Sequence, residues 1–307
     1  MLEATGFYVS ERVDVRPVSF DVVARRDSQL LFVKVLQNID AFGEGVASEL
    51  KTLAHFLRGA AVLVGERSGA GELSDGVVYV RHGVPIVTPT TLDEQLGSGD
   101  PPLAYAAPGG FYVNLDSVML RRLREQRNIA LGALARIAGV SRRTIAMYEE
   151  GMSATVDAAM RIEAFLEESI IRPVDPMAAR EKAEADAKAR PTNPLEREVF
   201  RLLETMGYRV TPTGASPLDA LSRDGANSVL TGISDTDHRL VRKARIMASV
   251  SRVTERPGVF IVKRTVTQMN IEGAPLIGRD ELKKMREPER MLDLIQEREK
   301  RKEKEAS

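Results

Sequence analysis

Between Met119 and Arg143 the chain carries seven arginines, at 121, 122, 124, 127, 136, 142 and 143, against Glu125 alone. A guanidinium stays charged at every physiological pH. Its planar fork can clamp a phosphate or read guanine through O6 and N7. Over the whole chain Lys plus Arg and Asp plus Glu both number 44, so the net charge is zero. Attraction to a polyanion must therefore come from local clustering, and this stretch supplies it. The chain has no cysteine, which excludes disulfides, thiolate metal sites and a cysteine nucleophile. His55, His82 and His238 are scattered singly and form no metal-ligating set.

The elements that must position these arginines are short helices. In LGALARIAGVSRRTIAMYEEG, Leu131 to Gly151, the residues Leu134, Ala135 and Ala138 form one inner face, and Ala135 is small because a second helix crosses it closely. Gly139 permits a left-handed turn and Val140 plugs the angle between the helices. Ser141 is the N-cap of the second helix, Ile145 and Tyr148 are its buried side, and Gly151 ends it.

This stretch resembles the helix-turn-helix of the Cro and phage-repressor class. The resemblance implies that the second helix enters the major groove of double-stranded DNA. Its exposed face is Arg142, Arg143, Thr144, Ala146 and Met147. Ser141, Arg142, Arg143, Thr144 and Met147, with Arg136 and Arg127, are the expected DNA-contacting set, and Arg142 and Arg143 are the best placed for base readout. Leu131 stands where the class often has a phosphate-binding glutamine, which weakens the expected backbone clamp.

On either side of this segment the chain repeats itself. MLEATGFYV at Met1 is echoed by LLETMGYRV at Leu202 to Val210. Phe20-Asp21 falls 198 positions before Leu218-Asp219, and the same offset carries Leu30–Val35 onto Ser228–Ile233 and Ala61–Glu66 onto Val259–Arg264. GVPIVTPTTLDEQL, residues 83–96, matches GAPLIGRDELKKM, residues 273–285, once the loop at 68–76 is allowed to be longer in the first copy. The strands show too little polar alternation for a one-sided sheet, so helices must cover both faces. In the first copy the helix 45–59 places Leu50, Leu53, Ala54 and Leu57 on one stripe, closed by Gly59. In the second, Asn193 and Pro194 open a helix that runs to Met206. The first copy begins inside the equivalent helix: either it lacks most of that helix, or translation starts upstream.

Asp21 at the start of one strand and Lys34 in the next resemble the restriction-endonuclease-like fold. Its active members place a second acid two residues before the lysine, so that two carboxylates hold a divalent metal and the lysine steadies the attacking water. Here that position is Phe32. In the second copy Asp219 remains, but the acid position is Leu230 and the lysine position Gly232. Asp21 and Lys34 are therefore predicted to be an inactive remnant, an ion pair or a solvent-facing leftover, unless a carboxylate such as Glu49 moves in. The glycine stretches at Gly43 and Gly65 lack the Gly-Lys-Ser ending of a phosphate loop.

The predicted fold class is α/β plus all-α, with two degenerate restriction-endonuclease-like α/β domains flanking a repressor-type helix-turn-helix bundle. The breaker-rich GSGDPPLAYAAPGG and the Ala/Glu/Lys-rich tract after Ile171 set the boundaries. They give domain one at 1–96, a linker at 97–111, the helix-turn-helix at 112–171, a linker at 172–192, domain two at 193–285 and a charged tail, a solvated and fraying helix, at 286–307. The whole chain, including SERVDVRPVSFDVVARR, QNID and VGERS, resembles an archaeal family of helix-turn-helix regulatory proteins.

That resemblance implies a cytoplasmic, sequence-specific DNA-binding transcriptional regulator. It is expected to be non-enzymatic, to need no cofactor or metal, to act as a homodimer on two half-sites and to have no membrane span. Its effector ligand is unknown. The alternatives are a nuclease or DNA-processing protein targeted by its helix-turn-helix, and a toxin-neutralising or scaffolding protein.

Overall fold

The computed structural model describes residues 1–14, 18–178, 190–191, 193–214, 216–225, 227–234, 237–263 and 268–305. These gather into two compact units. One comprises Met1–Val35, Phe42–Ala61 and Ala179–Ser307, and the other Leu36–Ala41 and Val62–Ala178.

The first unit opens with an antiparallel set, β1 (Tyr8–Val9), β2 (Val22–Arg26) and β3 (Gln29–Asn38). Apolar side chains run almost unbroken from Leu30 to Val33, as a strand covered on both faces requires. Helix α1 (Glu44–Phe56) follows, with Leu50, Leu53, Ala54 and the adjoining Leu57 buried on the expected stripe. Its ending differs in detail from the expectation. Arg58, not Gly59, takes the left-handed conformation (φ 57°). Gly59 is needed for space, because a Cβ there would lie 2.8 Å from the Leu30 carbonyl oxygen.

The second unit contains β4 (Ala60–Ser68), β5 (Gly71–Glu72), β6 (Val77–Arg81), β7 (Val84–Val87), the short α2 (Pro89–Asp93), β8 (Ala104–Ala107) and β9 (Gly110–Leu115). Then come α3 (Ser117–Gln126), α4 (Leu131–Ala138), α5 (Arg142–Glu149), β10 (Ala154–Thr155), α6 (Val156–Leu166) and β11 (Ile171–Arg172). The sheet order is β4-β7-β6-β8-β9-β10, with β5 on β4 and β11 on β9.

Part of the stretch 97–111, expected as a linker, is therefore sheet. β8 pairs parallel to β6 and antiparallel to β9, and Ala107 faces Gly110 across the two-residue turn Pro108–Gly109. Proline's fixed φ and the φ of 99° at Gly109 make that turn, so the breakers close a hairpin. From β9, Val113 and Leu115 enter the core of the helical bundle beside Leu120, Leu134, Ile145 and Ile162.

The chain returns to the first unit with α7 (Pro194–Thr205), β12 (Arg209–Pro212), β13 (Ala220–Asp224), β14 (Asn227–Ser234), α8 (Asp237–Thr254), β15 (Gly258–Val262), β16 (Asn270–Ile271), β17 (Ala274–Gly278), α9 (Arg279–Leu282) and α10 (Pro288–Glu305). Asn193 caps α7 by accepting from the Glu196 amide at 2.9 Å. The sheet order is β12-β13-β14-β15-β17-β16, with parallel pairing from β14 through β15 to β17.

The repeat is visible in the registers. Val22 faces Val33 in the first copy and Ala220 faces Thr231 in the second, each residue displaced by 198. The tail departs from expectation. Met291 and Ile295 of α10 are fully buried in the core of the second copy with Val199, Leu203 and Ile277. Arg298 is buried as well and bonds the Leu276 carbonyl and Glu281. The apolar stripe on this charge-rich helix makes it the last layer of the domain, where a solvated helix was predicted.

Candidate nucleic-acid interface

Helices α4 and α5 are joined by a turn whose chemistry is local. Gly139 closes α4 at φ 72°, and a Cβ there would come within 2.6 Å of Arg161 Nη1. Ser141 caps α5, its Oγ accepting from the Thr144 amide at 3.0 Å and lying 2.8 Å from the Thr144 hydroxyl. Behind the helix, Ile145 and Tyr148 are buried against Leu134, Ala135 and Ala138. Burial raises the Tyr148 phenol pKa. The sequence-predicted packing is therefore present residue by residue.

The opposite face is open. Ser141, Arg142, Arg143 and Met147 are exposed, and Thr144 is half-buried with its hydroxyl engaged by Ser141. Arg136 is exposed on the neighbouring helix. Arg127 does not join this group: its Nη1 donates to the Leu166 carbonyl at 2.6 Å and its Nη2 lies 3.5 Å from Glu168, holding α3 to the end of α6.

Two functional neighbours escaped the sequence reading. The first is Glu149, buried behind α5. Arg124 donates to it through Nε at 2.5 Å and Nη2 at 3.0 Å, and Arg121 Nε lies 3.5 Å away. This bond raises the pKa of the Arg124 guanidinium still further. Glu149 stands four residues after Ile145, on the buried side of the helix, and that spacing was its available signal. It withdraws Arg124 from solvent, while Arg121 stays largely exposed. Among the described residues Arg122, Arg136, Arg142 and Arg143 have no ion pair.

The second is Asp116, which caps α3 by accepting from the Met119 amide at 2.9 Å and pairs with Arg172 Nη2 at 2.9 Å. The Met119 bond, then Arg172, hold its pKa below 3.8. A carboxyl depressed by folding contributes stability above its unfolded pKa and loses it as pH falls through the folded one. Asp116→Asn should therefore melt lower than the parent at neutral pH. The gap should narrow as pH drops below 3.8, in parallel thermal melts at stepped pH; a gap independent of pH would contradict the ion pair.

The Asp21–Lys34 pair forms as expected. Lys34 Nζ lies 3.2 Å from Asp21 Oδ2 and 3.3 Å from Oδ1, and the Val35 amide donates to Oδ2 at 2.7 Å. Phe32, at the missing acid position, is fully buried edge-on to Phe20 with ring centres 5.6 Å apart. Glu49 does not move in, since its Oε2 accepts from the Gly214 amide at 3.0 Å.

In the second copy Asp219 keeps the same clasp, accepting from the Ile233 amide at 2.6 Å. A Cβ at Gly232 would overlap the Phe260 ring, so no lysine fits there. Lys243 arrives from α8 instead, 3.7 Å from Asp219. Burial raises the Asp219 pKa, against the opposing pull of Lys243. Among the described residues no cluster of His, Asp or Glu is arranged to hold a metal, and no helix is long and apolar enough to cross a membrane.

Residues 1–102 match the PD-(D/E)XK superfamily domain and residues 120–171 match a helix-turn-helix family. A protein of Natronomonas pharaonis is 39% identical over 97% of this chain and 95% of its own length. Relatives in Halorubrum lacusprofundi and Methanocella arvoryzae are each 40% identical over 97% of this chain and 94% of theirs. All three bear the name "Putative HTH-type transcriptional regulatory protein". No solved structure matches. With a repressor-type turn, a nuclease-like domain preceding it in sequence and relatives aligned nearly end to end, the chain belongs to this archaeal family of HTH-type transcriptional regulatory proteins.

Proposed function

We propose that the protein is a sequence-specific transcriptional regulator that inserts α5 into the major groove of operator DNA. The observation that carries this reading is the capped, firmly backed α5 offering Arg142 and Arg143 to solvent at its first turn. Arg136 and Met147 flank them, and Arg127 serves as a strut between helices. The protein acts in the cytoplasm on the chromosome, as a homodimer spanning two half-sites about one helical turn apart. Selection of bound genomic fragments followed by footprinting tests it: a palindromic protected site supports the reading, and retention of fragments without a shared sequence refutes it.

The nuclease-like copies act in this reading as non-catalytic scaffolds. Asp21 is clasped by the Val35 amide and Lys34, and Phe32 offers no oxygen to a metal. Supercoiled plasmid incubated with the protein and Mg²⁺ or Mn²⁺ should stay uncut. Cleavage that disappears in Lys34→Ala would overturn the scaffold assignment.

A further inference from the structure

The two nuclease-like copies touch through equivalent residues. Arg25 and Arg223 occupy the same position 198 residues apart, late in β2 and β13. Arg25 Nη1 pairs at 2.6 Å with Glu255, just past the end of α8 in the second copy. Arg223 Nη2 donates at 2.5 Å to the carbonyl of Phe56, the last residue of α1 in the first copy, and its guanidinium sits 4.3 Å over the Phe56 ring. Other contacts follow the same reciprocity. The Glu11 amide donates to Ser249 at 2.8 Å and Arg242 pairs with Asp14, while the Gly214 amide donates to Glu49 of α1. Each copy thus lays the segment between its first two strands on the other's helix. This is the pattern of an isologous dimer, built here within one chain.

The seam collects like charges. Arg209 lies directly opposite Arg223 in the β12–β13 register, an arrangement that costs stability between unscreened cations. Arg58, two residues beyond Phe56, and Arg256, next to Glu255, are again 198 positions apart. Burial, then Arg58, Arg256 and Arg209, lower the Arg223 pKa. Among the described residues the side chains of Arg58, Arg209 and Arg256 have no ion pair. The nearby carboxylates are occupied, Glu255 by Arg25 and Asp224 by the Asn227 amide. Arg25 Nε is buried with no hydrogen-bond partner.

We propose that this seam, lined by Arg58, Arg209, Arg223 and Arg256, binds the phosphate groups of a ligand. It lies at the far end of β2 and β13 from Asp21 and Asp219, and it does not depend on the role assigned to α5. Guanidiniums held at a reciprocal interface by strands and helix ends form a preorganised phosphate cradle, and a bound anion would relieve their mutual repulsion.

The experiment uses the full chain carrying Arg142→Ala and Arg143→Ala, which silences α5. Inorganic tripolyphosphate is titrated by calorimetry, and random-sequence duplex DNA is titrated at several salt concentrations. Arg58→Asn with Arg256→Gln should weaken tripolyphosphate about tenfold or more. Asparagine tolerates the left-handed φ of 57° at residue 58. Arg209→Gln alone, on an exposed strand position, should act in the same direction and guards against a folding defect in the double variant. A simultaneous fall of roughly two in the salt slope for duplex DNA identifies the phosphates as those of the DNA backbone. A response to tripolyphosphate alone identifies a small phosphorylated ligand. Equal binding of both probes by parent and variants, or no binding by the parent, overturns the proposal.

Discussion

Replacing Glu149 with alanine should destabilise the helix-turn-helix by about 3 kcal/mol, the cost of breaking a buried ion pair by removing one partner. The Glu149 side chain is 3% exposed and the Arg124 side chain 14%, so the orphaned guanidinium cannot simply turn into water. Arg124 is also tethered to the Ile129 carbonyl at 3.3 Å, which keeps it in place after the carboxylate is gone. Hydrogen exchange at the α5 amides reports the effect locally: protection should fall by roughly two orders of magnitude. Glu149→Gln keeps the shape and part of the bonding, so its loss should be smaller. Unchanged exchange in the alanine variant would mean that the Arg124–Glu149 bond does not hold α3 to α5.

The second large effect concerns α5 itself. Arg142→Ala and Arg143→Ala should each cost about 1–3 kcal/mol of operator affinity if they read base edges. The double variant should then bind a selected operator some hundredfold or more weaker, with little change in thermal stability, because both side chains are exposed and unpaired among the described residues. Competition against random duplex separates the two possible roles. Relaxed preference at one base pair marks readout. A uniform loss with a salt slope smaller by about one per residue marks a phosphate clamp. If affinity and preference both stay unchanged, α5 is not the reading element.

How much of this was legible beforehand depended on the range of the interactions. Gly139, Ser141, Ile145 and Tyr148 act within one turn and two helices, and their residue types announce their roles. The duplication was legible because the spacing between Asp21 and Lys34 and the position of Asp219 survive as counts along the chain. Pro108, Gly109 and Gly110 were misread because the same residues that break helices also make hairpin turns, and only the partner strand decides. The start of the tail was misread as solvated because its charge masked an apolar stripe at Met291 and Ile295. The contacts of Arg25 with Glu255 and of Arg223 with Phe56 join residues far apart in sequence, and nothing local to either end signals them.

The pairing of Arg124 with Glu149 also bears on how the molecule searches a genome. Every guanidinium withheld from the phosphates lowers by about one the number of counterions released on contact with arbitrary sequence, and so shortens each non-productive stay. Millions of irrelevant base pairs compete for such a protein. By spending this cation on its own architecture, the module gives up some indiscriminate grip and leaves discrimination to those that face outward.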